Sequence, residues 1–322
     1  MAFKTARASA ACLATLGTSW LFSQKRARCD IYVGGKERRI RVMSQNVWNS
    51  FFAGGPYRRD RLLGLKEELE RLSVDILIVQ EMFALRLGPW CEKSEAADMR
   101  EMLSKLGFVH QTSPTATLPL LGQSSGLVIY SKYPITYEHH QTFAQRRLVT
   151  AKGWLEVVID LGMSERNQER KLLIFNTHLE HSHHPRWRSV REQQWRQLAQ
   201  RSGAVLSDHK ESPCMYAMVV GDFNVCGHEY GQQLDGAAEF ASLQSAMRFE
   251  GFPCELPKGF VNPAQPGTLR LPPETTGRCT PDHMFVTPAL GVRCVSCAIV
   301  DTRSHNGLAV SDHLAILAEF VL

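Results

Sequence analysis

Five short segments of the chain end or interrupt an apolar run with a carboxylate, an amide or an imidazole. They are Ser44-Gln45-Asn46-Val47-Trp48, Val79-Gln80-Glu81, Asn176-Thr177-His178-Leu179, Gly221-Asp222-Phe223-Asn224 and Ser311-Asp312-His313. Oxygen donors of this kind suit a hard divalent cation such as Mg²⁺, which keeps several waters and needs only one or two carboxylates. An imidazole titrates near working pH and can serve as a general base. Together these groups answer what phosphodiester hydrolysis asks for, which is neutralised charge on the phosphoryl and leaving oxygens and an activated water. Glu81 is the best ligand candidate, with the amide oxygen of Asn46 beside it, and His313 is the candidate base.

Residues that far apart must be delivered by elements whose ends converge. Residues 74–79 (Val-Asp-Ile-Leu-Ile-Val) form the near-continuous aliphatic run expected of a strand buried on both faces. Residues 39–45, 125–130, 153–159, 171–176, 215–220, 283–286 and 315–322 also read as strands. Residues 61–72 carry Leu62, Leu65, Leu69 and Leu72 at helical spacing. Two further helices are expected, one over about 95–106 and a long one from 185 or 187 to about 206, with Trp187 and Trp195 as half-buried packing. Residues 252–278 are rich in Pro and Gly and read as a loop. Strands outnumber helices and few are joined by a single helix, which favours two packed sheets with helices outside over a doubly wound sheet. One domain over residues 37–322 is the simplest organisation.

Of the 322 residues, 44% are hydrophobic, an ordinary globular fraction. The five cations of residues 1–29, which hold no acid, account for the whole formal net charge of +5, so the body is neutral. Those residues read as a leader, either a secretory signal, a mitochondrial transit peptide or a membrane-adhering amphipathic helix, with an inert tail as the remaining alternative. Loss of the leader before Cys29 would leave eight of the nine cysteines, an even number compatible with an oxidising compartment. Cys294-x-x-Cys297 lacks the second pair a structural zinc site needs, and Glu180-His181-Ser182-His183-His184 lacks fixed metal-ligand spacing.

The five segments, in this order from residue 41 to 322, resemble the motif set of the endonuclease/exonuclease/phosphatase superfamily, whose fold is that of DNase I. The resemblance implies an α/β fold, a four-layered α/β sandwich of two packed mixed β-sheets flanked by helices. It implies a metal-dependent phosphoric diester hydrolase in which Glu81 and Asn46 hold Mg²⁺ or Mn²⁺, with Asp312 on the metal directly or through water. Asp222 then orients or deprotonates the nucleophile, Asn224 bonds the phosphoryl oxygens and His178 donates to a phosphate oxygen. Asp282, in Thr280-Pro281-Asp282-His283-Met284, stands where relatives pair an Asp with the base. Ala151-Lys152-Gly153-Trp154 ahead of a strand, and Thr177-His178-Leu179 followed by a helix with Arg191, Gln194 and Leu198, are similar to neutral sphingomyelinases. The substrate this implies is a phospholipid at a membrane surface, most directly sphingomyelin. The neutral body lacks the basic footprint of a nucleic-acid binder, so no stable nucleic-acid partner is expected. A nuclease or deadenylase of the same fold is the first alternative, and a catalytically inactive binding module, with every expected position nonetheless filled, is the other.

Overall fold

The computed structural model describes residues 38–322 apart from 51–54, 88–91, 94, 114–120, 148–149, 165–166, 183, 210–214, 227–234, 253, 257–258, 261–267, 271–278 and 288–292. The leader, His183 and most of the stretch 252–278 therefore lie outside the described residues. Strand β1 (Arg39–Asn46) leads to helix α1 (Arg58–Arg71) and strand β2 (Ile76–Gln80). Short strands β3 (Leu85–Leu87) and β4 (Glu92–Lys93) precede helix α2 (Ala96–Ser104), and β5 (His110–Gln111) and β6 (Leu121–Gln123) precede β7 (Val128–Ser131). Next come β8 (Ile135–Thr142), β9 (Gly153–Met163), β10 (Glu169–His178), helix α3 (Pro185–Asp208), β11 (Met215–Asp222) and helix α4 (Asp235–Phe249). The last elements are β12 (Cys254–Glu255), β13 (Gly259–Phe260), β14 (Asp282–Val286), β15 (Arg293–Val300) and β16 (Ala315–Val321).

Among the described residues the strands make a seven-stranded sheet in the order β13-β15-β16-β1-β2-β7-β5 and a six-stranded sheet in the order β12-β14-β11-β10-β9-β8. A small third sheet is β4-β3-β6. Both large sheets are mixed: β1 runs parallel to β2 and antiparallel to β16, while β10 runs parallel to β11 and antiparallel to β9.

The period-two alternation of each strand decides the layers. Ile76 and Ile78 of β2 face the other sheet, where they join Leu155, Val157, Leu172 and Ile174 in a shared core. Leu77 and Val79 turn outward and meet Leu62, Leu65 and Leu69 of α1 and Met99 and Leu103 of α2. On the far side, Phe175 and Val219 meet Trp195 and Leu198 of α3 and Leu243 and Met247 of α4. That is the four-layered α/β sandwich, and it explains why the inner strands read as unbroken aliphatic runs. Helix α3 starts with Pro185 at its first position, and its capping residue His184 accepts from the amide of Arg186 at 3.2 Å. No helix among the described residues is long and apolar enough to cross a membrane.

Five elements depart from the sequence reading. Helix α4 is left unassigned by it, because Asp235–Phe249 is built of small residues with weak periodicity. Strands β8 and β15 were likewise unforeseen; both expose about half of their side chains and carry polar residues among them. Strands β12 and β13 interrupt the expected loop over 252–278. Of the two tryptophans expected half-buried, Trp195 is buried outright. Trp187 is partly exposed and carries the Arg147 guanidinium at 4.5 Å over its ring.

Two buried amides tie the sheets together at the end that carries the polar motifs. Gln80 donates to Asn176 Oδ1 at 2.8 Å, and Asn176 donates to the carbonyl of Val79 at 2.9 Å. Next to this tie, Gly221 sits at φ +139 with Thr177 O only 2.1 Å from where a Cβ would stand. We expect Gly221→Ala to combine a strained backbone, worth about 1–3 kcal/mol, with a clash against backbone that cannot yield. Urea unfolding should show a lower midpoint at unchanged slope; an unchanged midpoint would show that β10 and β11 are not held this closely.

Candidate active site

Register places the motif residues at one level. The parallel pairing of β10 and β11 sets His178 beside Asp222, and the antiparallel pairing of β11 and β14 sets Asp222 beside Asp282. In the other sheet Asn46 lies beside Gln80, so Glu81 emerges next to the end of β1. Three residues here hold left-handed backbone: Trp48 (φ 49), Glu81 (φ 61) and Asn224 (φ 51). Such conformations in non-glycine residues persist where the surroundings impose them, and they gather at functional sites.

Asp222 is the point of convergence. It is 2% exposed. Its Oδ2 accepts from Asn46 Nδ2 at 3.0 Å, lies 3.5 Å from His178 Nε2 and 3.8 Å from His313 Nε2. Its Oδ1 accepts from the amide of Asn224 at 2.8 Å, which closes the Gly-Asp-Phe-Asn turn. Glu81 Oε1 takes the second proton of Asn46 Nδ2 at 3.1 Å and stands 3.8 Å from His178 Nε2. Asp282 Oδ2 bonds His313 Nδ1 at 2.8 Å, leaving Nε2 towards Asp222. Asn224 donates to the carbonyl of Leu179 at 3.1 Å. Around them lies a cavity of about 600 Å³, a common size for a ligand site, walled also by Trp48, Arg188, Asp312 and Leu269.

The structure thus brings Asn46, Glu81, His178, Asp222, Asn224, Asp282 and His313 together, with Asp312 on the same wall. Two details differ from the sequence reading. Asn46 presents its amide nitrogen to both carboxylates, because its oxygen accepts from the amide of Trp48 at 2.9 Å. Oxygen ligation by Asn46 would require that amide to turn over. Asp312 lies outside the tightest group of ligand atoms, with its Oδ1 accepting from Ser311 Oγ at 3.1 Å.

The electrostatics follow from crowding anions in a dry place. Burial pushes the Asp222 carboxyl up to about 7, against the pull of protonated His313. Burial likewise raises Glu81, against its hydrogen bond from Asn46. His178 is held well below the ordinary histidine value by burial and then by Lys152 and His313, so its imidazole is neutral. Burial pulls His313 down too, but Asp282, by charge and hydrogen bond, then Asp222 and Asp312 overcome it and push it up to about 10.

One atom each from Glu81, His178 and Asp222 lie within 4.8 Å of one another, and the same holds for Asp222, Asp282 and His313. Buried carboxylates whose charge is disfavoured by desolvation are what a divalent cation relieves, so the donor set fits one. Among the described residues neither Cys294 and Cys297 nor the histidines after Glu180 form such a group.

Four participants had no assigned role in the sequence. Lys152 is buried beneath the site, donates to the carbonyl of Leu179, and is lowered by burial against the pull of Glu180, Asp222 and Glu81. Arg188 and Arg191 stand on the α3 wall, where Arg191 grips Glu239 with two bonds of 2.8 Å. Arg61 sits behind Trp48. The helical periodicity around these arginines was visible, but not which face would turn inward.

A sandwich whose two sheets deliver acids and imidazoles to one end defines a metal-dependent phosphodiesterase architecture. The chain belongs to the Endonuclease/Exonuclease/phosphatase family, whose profile matches residues 43–313. Sphingomyelinase C from Streptomyces griseocarneus superposes with a TM-score of 0.60 at 17% identity, covering 88% of this chain and 99% of that one. A mutant of beta toxin from Staphylococcus aureus with bound magnesium ions gives 0.59 at 16%, covering 87% and 99%. TDP2 from D. rerio, complexed with a single strand DNA product, gives 0.55 at 18%, covering 88% and 98%. At these identities the likeness establishes the fold. No curated protein sequence matches significantly.

Proposed function

We propose that the protein hydrolyses a phospholipid phosphodiester at a membrane surface, with sphingomyelin as the first substrate and ceramide and phosphocholine as products. The observation that carries the hydrolysis is the meeting of Asn46, His178 and His313 on one oxygen of Asp222, Oδ2. Glu81, with Asp222 and His178, would hold a Mg²⁺ ion, which would supply Lewis-acid stabilisation of charge on the phosphoryl and leaving oxygens. His313 Nε2 takes the proton of the attacking water, while Asp282 on Nδ1 keeps that nitrogen free to accept. With its value near 10, His313 does so only once the carboxylates around it are neutralised. His178, neutral, donates to a phosphoryl oxygen, and Asn224 adds a second donor. Water's oxygen bonds to phosphorus as the phosphorus–oxygen bond to the lipid alcohol breaks, and that alkoxide recovers a proton.

For the lipid, support comes from the neutral body and from the sphingomyelinase fold among the neighbours. Arg188 favours a second reading. Its side chain is 31% exposed at the cavity and 3.7 Å from Glu239, the same carboxylate that Arg191 bonds, so two guanidinium groups flank one acid there. Guanidinium groups at a cavity wall suit a further phosphate, as in nucleic acid, better than choline. The full chain with Mg²⁺ is therefore to be tested on sphingomyelin vesicles and on single-stranded DNA. The lipid reading expects EDTA-sensitive phosphocholine release that Arg188→Ala leaves within about 3-fold. Robust DNA cleavage that Arg188→Ala weakens about 10-fold, on the scale of one lost charge-assisted contact, without sphingomyelin turnover, would replace it by the nuclease reading.

A further inference from the structure

Arg61 is the fourth residue of α1 and closes its first turn, where a solvent-facing cation would be ordinary. It is instead 3% exposed, and every hydrogen bond the structure gives its guanidinium goes to a backbone carbonyl. Nη1 donates to Val47 O at 2.9 Å and to Val310 O at 3.0 Å. Nη2 donates to Trp48 O at 3.0 Å and Gly55 O at 3.4 Å, and Nε to Pro56 O at 3.0 Å. The carbon of the same guanidinium lies 5.2 Å over the ring of Trp48.

These carbonyls are not scattered. Val47 and Trp48 directly follow Asn46, and the Trp48 amide is what fixes the Asn46 oxygen. Val310 directly precedes Ser311-Asp312-His313. One side chain therefore adds a tie between the chain leaving β1 and the chain carrying the base, beyond the β1–β16 pairing that ends at Ser44 and Ile316 and the bond from Gln45 to the His313 carbonyl at 3.1 Å. Among the described residues no carboxylate bonds this buried cation, though Asp312 acts on it by charge, and burying a cation held only by carbonyls is costly. Its persistence here fits a part in geometry more than in stability.

We propose that Arg61 is a positioning residue that sets the spacing between Asn46 and the Asp312–His313 turn through the Val47, Trp48 and Val310 carbonyls. This rests on the phosphodiesterase reading above. Displacing a reacting group by about 1 Å costs on the order of 100-fold in rate, so the expected signature is in kcat rather than KM.

The test uses the full chain, Mg²⁺ and bis(p-nitrophenyl) phosphate. Arg61→Lys keeps the charge but offers a point donor in place of the planar fork. Gly55→Ala strains the same clamp from the other side, because its Cβ would stand 2.1 Å from the Trp48 ring and push it off the guanidinium. Each variant should lose about 10- to 100-fold in kcat with KM within about 3-fold, and the double variant should lose less than the product of the two. Leu65→Ala, buried in the same helix but outside the site, is the control for mere destabilisation; compared below every melting temperature, it should keep its kcat. Normal kcat in either Arg61→Lys or Gly55→Ala overturns the proposal, as does an equal loss in Leu65→Ala. If Arg61→Lys does not fold, Gly55→Ala decides alone. A wild-type chain inactive on every phosphodiester tried would instead sink the phosphodiesterase reading.

Discussion

Replacing Asp222 by asparagine should lower the rate of hydrolysis by about 10³-fold while its effect on the melting temperature of the cation-free protein turns more favourable as pH rises. The rate loss follows from convergence: the change removes a carboxylate that faces His178, His313 and Asn46 together, and losses from proton transfer and from electrostatic positioning combine. The thermal effect has the opposite physical origin. Burial holds the Asp222 carboxyl at about 7, above its ordinary value near 4, so the folded chain binds a proton the unfolded chain has lost. Where the folded state binds more protons, stability falls as pH rises, here across about pH 4–7. Asparagine carries no such penalty, so its melting temperature relative to wild type should climb from pH 5 to pH 8. The stabilisation that added Mg²⁺ gives wild type should also shrink in the variant, since a ligand stabilises only in proportion to its affinity for the folded state. A variant that keeps the wild-type response to both pH and Mg²⁺ would mean that Asp222 is neither desolvated nor part of a cation site.

That contrast between stability and activity explains why the site was legible in the sequence and its electrostatics were not. Glu81, His178, Asp222 and His313 each end a run of aliphatic residues, and burying such a group unpaired is unfavourable. Their company with one another is the simplest way to make sense of them. The layers were legible for a related reason, since Ile76 to Val79 are apolar on both faces of β2 and so require covering on both sides. Arg61 gave no such signal. It stands in a run with Arg58 and Arg59, where a cation is normally solvated, and its five carbonyl acceptors come from segments up to 249 residues away. The orientation of the Asn46 amide and the charge on His313 depend on Trp48, Asp282 and Asp222 together. No pattern along the chain encodes those three distances. Helix α4 escaped because Gly236, Ala237, Ala238, Ser242 and Ala246 blur the apolar stripe, leaving Leu243 and Met247 to anchor it against Phe285 and Phe252.

Asp282→Asn provides the complementary expectation, in a higher pH window. Asp282 bonds His313 Nδ1 at 2.8 Å and, by charge and hydrogen bond, is the main group raising His313 against the pull of burial to about 10. Asparagine fits the space but holds the imidazole through a neutral partner and can fix the wrong tautomer, so kcat at neutral pH should drop by about 10²- to 10⁴-fold. The acidic limb of the kcat profile should also move to lower pH, because His313 gives up its proton more readily without Asp282. Stability supplies an independent reading. A histidine raised above its unfolded value near 6.5 contributes stability that is complete below about 6.5 and lost as pH rises towards 10. The cation-free variant should therefore melt below wild type at pH 6, with the gap closing between about pH 6.5 and pH 10, whereas the relative change for Asp222→Asn falls in the lower window of about pH 4–7. A gap that does not narrow above pH 6.5, or an unmoved acidic limb in Asp282→Asn, would show that His313 is not held by Asp282. The proton from water would then have to go to Asp222 alone.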